Sequence, residues 1–237
     1  MRNTSKAFQI LMILLACLFV SFPTEAAKEP STIIILARHG ETDYNIQDKF
    51  QGQMDVPLNA DGLHQADLLA AGLKNIHIDA FVASPLKRAF VTTEKCAKAH
   101  GMKVDYTDDR LKEISCGSWA GLYKKEMKKK EPEIYRKYDK EPWNYSLPGG
   151  ETYVELQSRY VAAMEDIVKK YPGKTVFVGG HSKGNMVFIS KILGADIKAS
   201  KQIKQANTCI NVLKYKKGKW TVVTINSVAH LGKLYQD

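Results

Sequence analysis

Cysteine is scarce in this sequence of 237 residues, which contains four cysteines and no Cys-x-x-Cys pair. Besides Cys17 they are Cys96, Cys116 and Cys209, and their irregular spacing is not that of a disulfide framework. No group of cysteine, histidine and acidic residues has the spacing of a metal-binding motif. We therefore expect buried free thiols and no bound metal or other cofactor, although one cysteine pair could oxidise if the protein is exported.

The sequence also lacks an uninterrupted apolar run of the roughly 20 residues that a transmembrane helix needs. Its most apolar stretch, residues 7–22, follows Arg2 and Lys6 and is succeeded by small and polar residues up to Ala26. A basic start, a short apolar core and a small-residue end are typical of a secretory signal peptide. We therefore expect residues 1–26 to be removed on export.

Cleavage would leave residues 27–237, enough for one domain with a sizeable core. The product would be periplasmic or extracellular, without stable insertion in a membrane. Two alternatives stay open: the apolar stretch could persist as an anchor, or Cys17 could be lipidated. The shortness of the stretch argues against an anchor, and the apolar residues after Cys17 argue against lipidation.

Acidic residues are outnumbered, with 25 Asp and Glu against 35 Lys and Arg and a net charge of +10. Much of the excess lies between Lys124 and Lys140, where lysines alternate with glutamates, tyrosines and prolines. This alternation favours a solvated helix and loop over a nucleic-acid patch, so no nucleic-acid partner is expected. The overall positive charge would still attract anionic substrates.

Apolar, β-branched runs alternate along the chain with segments of helical periodicity. This alternation predicts an α/β fold, a three-layer sandwich with a mainly parallel central sheet and helices on both faces. Residues 115–147 are weakly periodic, and we expect them to form a small helical cap over the site. The predicted strands are 32–37, 78–83, 175–178, 209–215 and 220–225, and the predicted helices are 60–73, 86–100, 151–171 and 185–193.

Polar and charged residues follow three of the predicted strands. Arg38 and His39 follow the first strand, Arg88 comes shortly after the second, and His181 follows the third. Because ligands of open α/β sheets bind beyond the carboxyl ends of the strands, these side chains are expected to converge. Arginine presents paired donors that match phosphate oxygens, and a neutral imidazole whose other nitrogen is held can attack phosphorus. The pattern predicts metal-free phosphoryl transfer to or from a small phosphorylated substrate.

Six short motifs, in this order and spacing, resemble the histidine phosphatase superfamily, also called the phosphoglycerate-mutase-like family. The resemblance runs from Ile33 to about Leu231 and falls in the first branch of the family. The motifs are residues 38–42 with Asn45; Gln51-Gly52 with 55–58; 84–89 with Thr92; 111–114 with Gly117, Trp119 and Gly121; 148–151; and 178–181.

The resemblance implies roles for particular residues. His39 matches the nucleophile that becomes phosphohistidine, and Glu113 matches the residue that protonates the leaving oxygen and then activates water. Arg38, Arg88 and His181 match the partners of the phosphate group. Further contacts to substrate are expected from Asn45, Gln51 and Gly52.

The chain departs from the family pattern at Ser182 and Lys183, where relatives often have two glycines, and at Tyr44, where they often have tryptophan. Lys183 could add a cation at the rim of the pocket or point to solvent. Acid phosphatases and phytases have aspartate directly after the second histidine, so that branch is excluded. Around Glu113 the sequence is closer to phosphatases than to phosphoglycerate mutases; mutase-type transfer is the alternative.

A different enzyme class is visible in the same residues. Residues 180–184 fit the G-x-S-x-G elbow of the α/β-hydrolases, with Ser182, Asp196 and His230 in triad order. Too little chain follows Ser182 for the rest of that fold, and this interpretation leaves His39 and the arginines without a role. A non-catalytic binding module is a third possibility, which the intact set of reactive residues disfavours.

Overall fold

The computed structural model describes residues 30–233, so the expected signal peptide lies outside the described residues. The strands are β1 (Thr32–Arg38), β2 (Ala80–Ala83), β3 (Tyr106–Thr107), β4 (Thr175–Gly180), β5 (Ile210–Lys216) and β6 (Lys219–Ser227). The α-helices are α1 (Asp43–Ile46), α2 (Ala60–Leu73), α3 (Lys87–Ala99), α4 (Lys124–Lys130), α5 (Pro132–Lys140), α6 (Tyr153–Lys170) and α7 (Ser182–Ile192). Within the described range, every helix is too short or too polar to span a bilayer.

The six strands form one sheet in the order β3-β2-β4-β1-β5-β6. Strands β3, β2, β4 and β1 pair in parallel, whereas β5 pairs antiparallel with both of its neighbours, β1 and β6. The carboxyl ends of β1, β2 and β4 therefore meet at one edge. Because β5 runs in the opposite direction, its beginning lies at that same edge.

The two faces of the sheet are covered by different helices. On β1, Ile34 and Leu36 belong to a buried cluster with residues of α6 and α7. Ile35 and Ala37 point to the other face, where they pack with residues of α2 and α3. Alternation of side chains along a strand produces this division. The predicted three-layer sandwich is confirmed.

The predicted cap is formed largely by α4 and α5. Met127 of α4 and Tyr138 of α5 are buried in the same cluster as Phe50, and they join the cap to the core. The lysines of α4 are exposed, apart from Lys124, which is half-buried. The basic segment therefore behaves as the solvated helix that its alternation of charges predicts.

Several element boundaries differ from the prediction. Strand β4 continues to Gly180, and α7 begins at Ser182 rather than at residue 185. A Cβ at Gly179 would lie 1.9 Å from Thr93 Oγ1, and one at Gly180 would lie 2.1 Å from Tyr160 Oη. The two glycines thus allow close packing within the strand instead of ending it. The two-residue edge strand β3 was not predicted.

The cysteine prediction agrees with the structure. Cys96, Cys116 and Cys209 are all buried and free. Burial raises the pKa of the Cys96 and Cys209 thiols to about 12. These groups are therefore protonated and unreactive at neutral pH.

Candidate active site

His39 begins the loop that follows β1, and its ring is held in one tautomer. His39 Nδ1 lies 2.6 Å from the carbonyl oxygen of Gly40, which can only accept a hydrogen bond. Nδ1 therefore carries the proton, and Nε2 is left with a free lone pair. The His39 carbonyl oxygen accepts hydrogen bonds from Asn207 Nδ2 at 3.1 Å and from the Thr208 backbone at 3.2 Å. The backbone under the imidazole is thereby anchored to the start of β5.

The His39 imidazole lies in a surrounding that disfavours its protonation. The residue is only 3% exposed. Burial, together with the charges of Arg88 and Arg38, lowers the pKa of His39 well below its ordinary value. The ring is consequently neutral near pH 7 and can act as a nucleophile through Nε2.

His181 lies beside His39, with 5.2 Å between the ring centroids. Its Nε2 is 2.8 Å from Ser84 Oγ at the end of β2. Its Nδ1 is buried and has no hydrogen-bond partner in the described part of the chain. Burial, Arg88 and His39 lower the pKa of His181 well below its ordinary value. If Ser84 donates its hydroxyl proton to Nε2, the unpaired Nδ1 carries a hydrogen that an anion can accept.

Arg38 is the last residue of β1 and brings a cation to the same edge. Its Nη1 donates to the carbonyl oxygen of Gln205 at 2.6 Å, which fixes the direction of the guanidinium group. Its Nε is buried and lacks a partner among residues 30–233. Burial lowers the pKa of Arg38, although its ordinary value is so high that the group stays charged.

Arg88, near the start of α3, has two contacts with the loop that precedes α2. Nη1 donates to the Met54 carbonyl at 2.7 Å and Nη2 donates to the Gly52 carbonyl at 2.8 Å. Its buried Nε has no partner in the structure as described. Burial lowers the pKa of Arg88 to about 10, so the group is charged at neutral pH. Arg88 therefore both carries charge and positions the loop.

Glu113 brings a carboxylate to the site and is 9% exposed. Its Oε1 accepts a hydrogen bond from the Ile114 backbone at 2.9 Å, and its Oε2 accepts one from the Lys183 backbone at 3.3 Å. The second bond joins the carboxylate to the first turn of α7. Glu113 thus has a defined direction, and its carboxylate forms no ion pair with another side chain of the described residues.

The chain around Glu113 is held by a salt-bridged pair that the sequence did not indicate. Arg159 Nη1 donates to the carbonyls of Arg110 and Lys112, both at 2.7 Å, and Nη2 donates to the Glu113 carbonyl at 2.9 Å. Glu151 orients the same guanidinium group, with Oε1 2.7 Å from Arg159 Nε. One half-buried arginine therefore fixes three carbonyls next to the carboxylate.

Asn45, Gln51 and Gly52 lie in the same site as Glu113. The Asn45 side-chain oxygen accepts a hydrogen bond from the Thr42 backbone at 3.1 Å, and Gln51 Oε1 lies 3.3 Å from Thr42 Oγ1. Both amide oxygens are thus engaged, which leaves the amide NH₂ groups for a ligand. Gly52 has φ of +52°, and a Cβ there would lie 3.0 Å from the Cys116 backbone nitrogen. Only glycine fits this turn without strain.

These side chains surround one cavity of about 210 Å³. Seven of the eight predicted site residues line it: Arg38, His39, Asn45, Gln51, Gly52, Arg88 and Glu113. His181 is not among the lining residues, although its ring lies next to that of His39. Lys183, whose position the sequence left open, also lines it rather than pointing to solvent. In the range that the structure describes, no three histidine, cysteine or acidic residues are grouped so that they could hold a metal ion.

The alternative esterase triad is not assembled. Ser182 Oγ contacts Met186 Sδ at 3.6 Å, and Asp196 accepts a hydrogen bond from the Lys198 backbone. His230 Nε2 is 3.1 Å from Thr208 Oγ1. Each of the three proposed members therefore has a partner outside the triad.

Sequence reasoning missed the polar segment that contacts His39 and Arg38 from the start of β5. Gln205, Asn207 and Thr208 supply these contacts. A signal was available, since three polar residues precede a predicted strand. It could not be used without knowing that β5 runs antiparallel, which brings its beginning to the reactive edge.

Comparisons with known proteins agree with this arrangement. A family model described as the histidine phosphatase superfamily (branch 1) matches residues 34–228. Phosphoserine phosphatase 1 of Hydrogenobacter thermophilus is 31% identical over 204 residues, 86% of this chain and 96% of that protein. A metal-independent phosphoserine phosphatase of Arabidopsis thaliana is 35% identical over 205 residues, 86% of this chain and 84% of the relative. The structure of Bacillus stearothermophilus YhfR covers 84% of this chain and 99% of its own, with a TM-score of 0.80 and 25% identity.

Proposed function

Because the chain belongs to the histidine phosphatase superfamily, branch 1, and is a phosphatase, we propose that it is an exported, metal-independent phosphomonoesterase that acts through phosphorylated His39. The observation that carries this proposal is the tautomer of His39. Its Nδ1 proton is engaged by the Gly40 carbonyl, so the free lone pair is on Nε2. Two arginines stand beside this nucleophile, as a dianionic phosphate requires.

In the first step, His39 Nε2 attacks the phosphorus atom and the bond to the ester oxygen breaks. Arg38, Arg88 and the Asn45 amide hold the phosphoryl oxygens, while His181 Nδ1 offers a further donor. Glu113, protonated at this stage, gives its proton to the leaving oxygen, so the alcohol departs neutral. The products are the alcohol and a phosphoryl group bonded to Nε2.

In the second step, water attacks the phosphorus atom and the N–P bond breaks. Glu113, now a carboxylate, accepts a proton from the attacking water. Inorganic phosphate leaves, and His39 returns to its neutral form with the Nδ1 proton still engaged by Gly40. The protonation states and charges of His39 and Glu113 are thereby restored after each turnover.

Mutase-type transfer uses the same first step and differs in the acceptor, which is then a second alcohol instead of water. The relatives from Hydrogenobacter thermophilus and Arabidopsis thaliana are named phosphoserine phosphatases, which supports water as the acceptor. Their names also support a small phosphorylated substrate, a size that suits a cavity of about 210 Å³.

Metal independence has a direct test. The charges that neutralise phosphate in this proposal come from Arg38 and Arg88, so EDTA should leave hydrolysis of p-nitrophenyl phosphate unchanged. Vanadate should inhibit, because it adopts the five-coordinate geometry of the transition state. Activity that disappears in EDTA and returns with magnesium or zinc would contradict the proposal.

Export rests on residues 1–26 alone. Mass spectrometry of the protein from its native cell should find an N-terminus at Ala27. Ala26→Trp is the matched control, since a bulky residue at the cleavage position should block processing. An intact Met1, or a diacylated Cys17, would show that the protein is anchored or lipidated instead.

A further inference from the structure

A second cavity, of about 180 Å³, adjoins the catalytic one. The two share Phe50, Lys124 and Lys183 as lining residues. The second cavity is otherwise lined by Tyr135, Tyr138 and Tyr153, by Pro142, and by Asp139 with its ion-pair partner Lys201. It therefore continues the catalytic site toward the cap, where the organic part of a substrate would extend.

Lys183 differs from the other lysines around these cavities in its lack of a partner. Lys124 pairs with Asp48, Lys201 pairs with Asp139, and Lys49 lies over the ring of Tyr123 at 4.3 Å. Lys183 is half-buried, and within residues 30–233 no carboxylate lies within 4 Å of its ammonium group. A half-buried cation without an anion is unfavourable unless a ligand supplies one.

The backbone of Lys183 places it on the side of the leaving group. Its nitrogen donates to Glu113 Oε2 at 3.3 Å, and Glu113 is the proposed proton donor to the leaving oxygen. The pKa of Lys183 is not lowered by its partial burial but lies above its ordinary value, so the ammonium group is charged at neutral pH. Lys183 also lines both cavities, which places it between the catalytic site and the second cavity.

We propose that Lys183 and the adjoining tyrosines form a subsite for a carboxylate carried by the alcohol part of the substrate. A single unpaired ammonium group matches one negative charge, which favours a carboxylate over a second phosphate dianion. The hydroxyl groups of Tyr138 and Tyr153, kept protonated because burial raises their pKa, line the same cavity and can donate to the second carboxylate oxygen. The subsite rests on the proposed phosphatase function and narrows its substrates to acidic phosphomonoesters.

The test compares two substrates that differ in one group. 3-Phosphoglycerate carries a carboxylate where glycerol 3-phosphate carries a hydroxymethyl group. The wild-type enzyme should have the higher kcat/KM on 3-phosphoglycerate. Lys183→Met should lower the ratio of the two kcat/KM values by about 10- to 100-fold, the range expected for losing one hydrogen bond to a charged group. Lys183→Arg should preserve most of the preference.

Lys191→Met is the matched control, because Lys191 is an exposed lysine on the same helix. It should leave the ratio unchanged, and circular dichroism should show both methionine variants to be folded. If Lys183→Met leaves the ratio of the two kcat/KM values unchanged, the subsite is overturned. This includes the case in which both values fall by the same factor. If Lys183→Met does not fold, the ratio measured with Lys183→Gln decides by the same criterion.

The wild-type enzyme separates failure of the subsite from failure of the proposed function. Turnover of p-nitrophenyl phosphate without a preference between the two matched substrates overturns the subsite alone. No turnover of p-nitrophenyl phosphate or of either matched substrate overturns the proposed function and the subsite with it.

Discussion

His39→Ala is expected to abolish phosphatase turnover, with a loss of about 10⁴-fold or more, as for removal of the nucleophile in other enzymes with covalent intermediates. The physical reason is that no neighbouring group can replace Nε2. The His181 Nε2 is engaged by Ser84 Oγ, and when that hydroxyl donates to Nε2 the Nδ1 carries the proton and has no lone pair with which to attack. The loss should appear equally with every phosphomonoester, because all of them share the first step.

A rapid quench identifies the intermediate behind this loss. Labelled phosphomonoester should trap a phosphoenzyme that is acid-labile and base-stable, as a phosphorylated imidazole is and a phosphoserine is not. The label should map to the peptide that contains Arg38-His39-Gly40. A label that is released to an added alcohol instead of to water would favour mutase-type transfer.

Ser182→Ala distinguishes the phosphatase from the esterase that shares its pocket. The variant should retain a substantial part of the phosphatase activity, since within the described residues the Ser182 hydroxyl hydrogen-bonds Met186 Sδ and none of the proposed catalytic residues. An active His39→Ala, with p-nitrophenyl acetate turnover that Ser182→Ala removes, would contradict the assignment. The charges of Arg38 and Arg88 favour a phosphatase over an esterase, because a carboxylic ester has no negative charge for them to bind in its ground state.

Glu113→Gln is expected to slow hydrolysis of alkyl phosphates by about 10²–10⁴-fold, the usual contribution of general acid catalysis. Hydrolysis of p-nitrophenyl phosphate should be affected much less, because nitrophenolate departs with little need of a proton. Glutamine keeps the size of the side chain and an acceptor oxygen, but it has no proton to transfer as an acid. The measurement is kcat on a series of leaving groups with rising pKa.

Two results complete the interpretation of Glu113→Gln. Glu165→Gln, an exposed carboxylate on α6, is the control and should leave both classes of substrate unaffected. Equal losses on alkyl and nitrophenyl esters in Glu113→Gln would assign Glu113 to holding the first turn of α7 through its bond to Lys183, not to proton transfer.

The position of the reactive residues could be predicted from the sequence because it follows from strand topology. Arg38, His39 and His181 come directly after apolar runs that can only be buried strands. Parallel strands bring their carboxyl ends to one edge, whatever the loops between them do. The order of the motifs and the alternation of strands and helices were therefore enough to indicate both the architecture and the site.

The hydrogen bonds that hold those residues in place could not be predicted, because they join segments that are distant in the sequence. Arg159 reaches back to carbonyls near residue 113, and Asn207 reaches the carbonyl of His39 across the sheet. Backbone carbonyls have no sequence signature. The position of the Lys183 side chain could not be predicted for the same reason. Only its packing against the cap determines whether it lies at the rim of the pocket or points to solvent.

The unpaired donors of the site have a consequence for the stability of the protein. His181 Nδ1 and Arg38 Nε are buried without partners in the described residues. Each buried, unsatisfied polar group lowers the free energy of unfolding by about 1–3 kcal/mol, and more when it is charged. Apolar replacements that filled the same volume would remove this destabilisation along with the activity. An inactive variant of this protein can therefore melt at a higher temperature than the active enzyme, and high thermal stability is no sign of an intact site.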